Sequence, residues 1–203
     1  MSAGKVFSDE LIQDVERNHG LLAATRVQYW LEIIKNGKIQ SNSTRCYWTN
    51  NFFNDAKFAS DQEIYGVNDY WATPLEFLIH DAGDCEDFAI AKYFTLLAMG
   101  VEPDKLRLTY VNTLTLNQAH MVLAYYSTPH KEPQILDNLN LRILFASERQ
   151  DLKPVYAFNG SQLFIMNTWL NQVQMRNPMS LSLWKGLCSR YQAGMALNSA
   201  LFS

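Results

Sequence analysis

Charge is sparse in this sequence and gathers nowhere. Lysine and arginine number 17 against 20 aspartates and glutamates, a net charge of −3, with no basic tract and no run of like sign. That excludes nucleic acid as a main partner, since such proteins carry a basic patch or stripe. No apolar run approaches the ~20 residues of a membrane-spanning helix, which excludes membrane insertion. A secretory leader is not legible either: Met1-Ser2-Ala3-Gly4-Lys5 passes straight into an amphipathic pattern. The chain is expected to be cytosolic, or to have had an export signal removed. Cysteine is scarce, at Cys46, Cys85 and Cys188; an odd number leaves at least one thiol free. No CxxC or paired Cys/His spacing supports structural zinc.

What is abundant is core material. With 203 residues, 48% of them hydrophobic and 18% charged, a single domain spanning 1–203 has enough apolar surface to fold on its own. Ser8-Asp9-Glu10 opens a first helix as cap and acidic first turn, and Gly20 breaks it. Leu21 to Lys35 reads as a second helix closed by Gly37, with Trp30, Ile33 and Ile34 on its core stripe. Periodicity is weak from Ser41 to Tyr70; Asn50 to Ala59 is expected to be helical and Tyr65 to Tyr70 a loop. Thr73-Pro74-Leu75-Glu76 is a capping box with proline at the first helical position.

Beyond Gly100 the period shortens. Leu106, Leu108 and Tyr110 alternate with Arg107 and Thr109, predicting a half-buried strand. Ala119 to Tyr126 and Gln134 to Asp137 follow as strands joined by a turn at Ser127–Pro133. Val155 to Phe158 and Leu163 to Met166 flank the turn pair Asn159-Gly160, and a closing helix is expected over about 178–195. The order is a helical lobe over about 1–100, a sheet lobe over about 101–170 and a last helix, which defines α+β.

One stretch organises the rest: Asp81-Ala82-Gly83-Asp84-Cys85-Glu86-Asp87 leading into Phe88 to Ala98, where only Lys92 and Thr95 are polar. Asp84 can cap this helix, Glu86 and Asp87 complement its dipole, and Gly100 stops it. A cysteine in the first turn has its thiolate favoured by the helix N-terminus. A catalytic thiol needs a base and a group to orient that base. Of the four histidines, His120 starts a strand and is the best candidate; Asp137 lies on the next strand, within reach if the two pair. His19 and His130 read as exposed, and His80 belongs to the preceding helix. With Cys85 committed to chemistry, any disulfide has to join Cys46 to Cys188.

Trp71-x-x-Pro74-x-Glu76, then Gly83-Asp84-Cys85-Glu86-Asp87-Phe88-Ala89 with Lys92-Tyr93, then His120-Met121-Val122-Leu123, then Leu136-Asp137-Asn138 resembles the bacterial transglutaminase-like cysteine proteinases, and among them the LapG-type periplasmic adhesin proteases. Asp81-Ala82-Gly83 departs from the pattern, where a more glycine-rich turn is expected. The resemblance implies a papain/transglutaminase-like fold in which a central cysteine-bearing helix packs on an antiparallel sheet. It also implies a triad of Cys85 as nucleophile, His120 as base and Asp137 as orienter. The Cys85 amide is a natural oxyanion donor, and Tyr70 or Trp71 is the expected region of a second.

Asp84, Glu86 and Asp87 crowd negative charge against a thiol that has to ionise. A bound Ca2+ removes that penalty, with carbonyls from Asn68 and Tyr70 completing an oxygen shell. Calcium dependence is also what the resemblance implies. So are a periplasmic location, a large bacterial surface adhesin as substrate, and the periplasmic domain of a LapD-type inner-membrane cyclic di-GMP receptor as regulator. Transglutaminase-type acyl transfer and a non-catalytic calcium-binding module are the other readings of the same residues.

Overall fold

The computed structural model describes residues 3–115, 117–128, 130–160, 162–176 and 182–196. Its elements run α1 (Ala3–His19), α2 (Leu21–Gly37), α3 (Asn42–Asn54), β1 (Lys57–Phe58), α4 (Asp61–Ile64), α5 (Pro74–His80), β2 (Ala82–Gly83) and α6 (Cys85–Ala98). After these come β3 (Leu106–Thr113), β4 (Gln118–Tyr125), β5 (Gln134–Leu136), β6 (Leu144–Phe145), β7 (Leu152–Phe158), β8 (Gln162–Met166), β9 (Gln172–Arg176) and α7 (Ser182–Ala196). Seven strands form one antiparallel sheet in the order β6-β5-β4-β3-β7-β8-β9. Helix α6 packs on β4 and β3, and the helical elements stand around its other sides. The fold is α+β with a cysteine-bearing helix on an antiparallel sheet, as expected.

The local signals for α5 and α6 hold in detail. Thr73 accepts the Glu76 amide while Glu76 reaches back to Thr73, and Pro74 occupies the first turn. Asp84 accepts the Glu86 amide at 3.2 Å, and Gly100 takes the left-handed conformation that ends the helix, φ 91°. Glycine is scarce in the turn before Cys85 because Asp81 itself adopts a positive φ of 55°, a conformation short acids tolerate. Gly83 is required for another reason: a Cβ there would lie 2.7 Å from the Asp87 Cβ and 2.8 Å from the Phe77 ring.

Several boundaries differ from expectation. Helix α1 begins at Ala3, so Ser8 lies within it and is no cap. Helix α3 spans Asn42–Asn54 instead of Asn50 to Ala59, because Ser41 caps it by accepting the Thr44 amide. Lys57 and Phe58 leave the helix to pair in parallel with Ala82 and Gly83. Strand β3 is not half-buried. Thr109 is fully buried, and Arg107 is sandwiched between the rings of Tyr126 and Phe164, each 4.3 Å from its guanidinium. A central strand covered on both faces hides the alternation that marks an edge or surface strand. Strand β9 was not among the expected strands, although Gln172-Val173-Gln174-Met175-Arg176 alternates polar and apolar residues. The expected start of the closing helix at 178–181 and Pro129 in the predicted turn lie outside the described residues. None of the helices among the described residues is long and apolar enough to cross a membrane.

Candidate active site

Cys85 is the first residue of α6, and its thiol abuts β4. The backbone N–H of Met121, the residue after His120, faces the sulfur and favours its thiolate. His120 is 4% exposed on β4, and its Nε2 lies 2.7 Å from Asp137 Oδ1. Asp137 stands one residue past β5, and the β4–β5 pairing of Leu123 with Leu136 is what brings it to His120. With Nε2 engaged, Nδ1 is the nitrogen left for the thiol side.

Asp137 is held on both carboxylate oxygens. Asp137 Oδ1 also accepts the Leu139 amide at 3.0 Å, and Oδ2 accepts Arg149 Nη2 at 2.8 Å. Burial opposes its ionisation, but the His120 contact, the Leu139 amide and the Arg149 guanidinium outweigh it, and the carboxyl is held down at about 2. Asp137 is therefore a carboxylate at any pH the enzyme meets. Arg149 is 3% exposed and also binds both oxygens of Asp151. Nothing in its sequence surroundings marked it; only the fold brings it to Asp137.

The acids form a second, adjoining cluster whose membership differs from the sequence reading. Carboxylate oxygens of Asp61, Asp84 and Asp87 lie within 4.8 Å of one another. Asp61 was not foreseen. It reaches the cluster because β1 pairs beside β2 and the Ser60–Glu63 capping box turns the chain at once into α4. Asp84 belongs to two such groups, for ligand atoms of Asp84, Cys85 and Glu86 also lie within 4.8 Å of one another, and Glu86 Oε2 accepts the Cys85 S–H at 2.7 Å. Asn68 is exposed. The Tyr70 N–H donates to Asp61 Oδ2 at 2.7 Å and ties this loop to the acids.

Both donors of Tyr70, its amide and its hydroxyl, are engaged by carboxylates. Tyr70 gives its amide to Asp61 and its hydroxyl to Glu76, and its ring packs on Tyr65 and under Arg190. Trp71 is buried, stacked 5.8 Å from Phe158, with its carbonyl taken by Arg190. Arg190 belongs to α7, so the closing helix pins the loop that precedes α5. His80 is exposed at the end of α5 and packs edge-on to Tyr65; His19 and His130 are exposed. The three cysteines are free thiols.

Electrostatically the acid cluster is unfinished. Burial, then the charges of its neighbours, raise Asp84 far above the carboxylate range. Burial, then Asp61 and Glu86 against the Ala72 and Asp84 amides, push Asp87 up to about 8. Asp61 Oδ1 and Asp87 Oδ2 are buried without a hydrogen-bond partner, each an oxygen with its lone pairs unspent. Burial, then the Glu86 charge and contact, hold the Cys85 thiol well above its ordinary range.

A helix-start thiol on a strand that presents a histidine, with an acid beyond the next strand holding the imidazole, defines a cysteine hydrolase of the transglutaminase-like fold. The chain belongs to the bacterial transglutaminase-like cysteine proteinases, whose family model matches residues 39–158, and it is a cysteine peptidase. Among solved structures it is similar to Legionella pneumophila LapG, at 43% identity, over 89% of this chain and 96% of that one, with a TM-score of 0.78. EGTA-treated LapG from the same organism matches at 44% identity, 89% and 96% coverage and a TM-score of 0.79. Its calcium-bound form matches at 43%, 90% and 98%, and 0.77. No curated protein sequence matches the chain significantly.

Proposed function

We propose that this chain is a calcium-dependent cysteine endopeptidase that acts in the periplasm on a large bacterial surface adhesin and so controls biofilm attachment. The observation that carries the catalytic part is the His120–Asp137 pair, 2.7 Å apart, with His120 on the strand whose Met121 amide meets the Cys85 sulfur. His120 takes the thiol proton, and the Cys85 sulfur attacks the scissile carbonyl. The oxyanion meets the Cys85 amide at the N-terminus of α6. His120 returns the proton to the departing amine, leaving a thioester that a water deprotonated by His120 then hydrolyses. Asp137 keeps the imidazole in one tautomer and stabilises its charged form.

The carboxylates of Asp61, Asp84 and Asp87 suit a calcium ion: three hard oxygen donors, two of them with buried oxygens lacking any partner, and mutual repulsion that a dication relieves. The calcium-bound structure of LapG supports this choice of ion. When bound, the ion neutralises the acids flanking the nucleophile. The adhesin substrate and control by a LapD-type cyclic di-GMP receptor rest on the family resemblance. The experiment is digestion of an adhesin fragment with calcium or with EGTA, without added amine. Cleavage by the calcium-loaded protein, and none by Cys85→Ala with its fold retained, is the expected result. Substantial cleavage by clean Cys85→Ala ends the thiol mechanism, and equal rates in EGTA end the calcium requirement.

A further inference from the structure

Helix α6 carries a charged side chain that the chemistry above does not use. Lys92 is fully buried. Its Nζ donates to Asn50 Oδ1 at 3.0 Å, to Asn54 Oδ1 at 2.7 Å and to the backbone carbonyl of Asp137 at 3.1 Å. All three donors of the ammonium are thus used, and all three acceptors are neutral oxygens. Burial pulls the amine down to about 7, the mark of a costly placement. A methionine fills similar volume with far less loss of hydration.

What lysine adds is directed reach, and one direction ends on the peptide of the triad acid. Asn54 Nδ2 donates to that same carbonyl at 2.9 Å, and Asn50 Nδ2 to the Leu141 carbonyl at 2.9 Å. Asp137 needs such a hold because it lies just past β5, where the ladder no longer fixes the backbone. Both asparagines lie on α3, so α3 and α6 together clamp the segment from Asp137 to Leu141.

We propose that Lys92, with Asn54, is a positioning residue of the peptidase: by gripping the Asp137 carbonyl it aims the Asp137 carboxylate at His120 and ties the triad acid to the helix bearing Cys85. This rests on the Cys85–His120–Asp137 reading given above.

Two readouts test it on the full chain: the rate of iodoacetamide alkylation at Cys85 at neutral pH, located by mass spectrometry, and the His120 Nε2 proton resonance in isotope-labelled protein. In Lys92→Met, alkylation of Cys85 should slow on the order of 10-fold, the scale of a modest misplacement of catalytic groups. The downfield proton held by Asp137 should shift or broaden while melting stays cooperative. Unchanged alkylation and an unchanged proton in folded Lys92→Met overturn the proposal. Where Lys92→Met does not fold, Asn54→Ala decides, because it removes the other donor to the same carbonyl from a partly exposed site. A smaller change in the same direction supports the proposal, and none overturns it. His120→Ala separates the two levels: if it leaves Cys85 alkylation as fast as in the unaltered protein, the triad reading itself fails.

Discussion

Replacing Asp61 by asparagine removes one of three carboxylates whose oxygens lie within 4.8 Å of one another, with almost no change of shape. The asparagine Oδ1 can still accept the Tyr70 amide that Asp61 Oδ2 holds at 2.7 Å. Two consequences follow, of opposite sign. In EGTA, Asp84 and Asp87 lose a repelling neighbour, so Asp61→Asn should melt no lower than the unaltered protein. In calcium, the ion loses a charged ligand. At about 100 times its dissociation constant an ion that binds only the folded state adds about 2.7 kcal/mol. For a chain of this size that is a rise of roughly 5–10 °C in melting temperature. If the substitution weakens binding about 100-fold, the same calcium concentration adds only about 0.4 kcal/mol, near 1 °C. Thermal scans of both proteins in EGTA and in calcium read all four values. A full calcium shift in Asp61→Asn would refute the assignment of Asp61 as a ligand, and a large loss of stability in EGTA would show that it is a structural acid.

The calcium-induced rise in melting temperature should itself grow with pH. Asp87 is raised to about 8 in the fold, by burial first, so without the ion the folded protein binds more protons than the unfolded chain and loses stability as pH rises from about 4 toward 8. A calcium shift that stays constant across that window contradicts the cluster's repulsion. Arg149→Met leaves Asp137 Oδ2 and Asp151 without their buried cation and should cost about 3 kcal/mol, read by denaturant unfolding, along with most of the activity. Full stability in that variant would mean that Arg149 is a bystander.

By itself the sequence determined the elements that carry chemistry. The caps at Thr73 and Asp84, the stop at Gly100 and the identity of the thiol depend on neighbours in the chain, and local hydrogen bonding decides them. His120 and Asp137 were legible as candidates because one sits on a recognisable strand and the other just past the next, and hairpin pairing makes successive strands neighbours. The buried lysine was visible only as a polar interruption of α6. Tertiary structure decided the company these residues keep. Asp61 enters the acid cluster through a two-residue parallel pairing too short to leave a periodic signal, and Arg149 and the asparagines of α3 reach Asp137 across the fold. The same distinction explains the errors. Arg107 looks solvent-facing by alternation, yet the fold packs it between two rings. Local pattern reports backbone conformation, whereas long-range packing chooses which side chains share a site, because only burial makes an oxygen, an ammonium or a guanidinium depend on a partner far away in the chain.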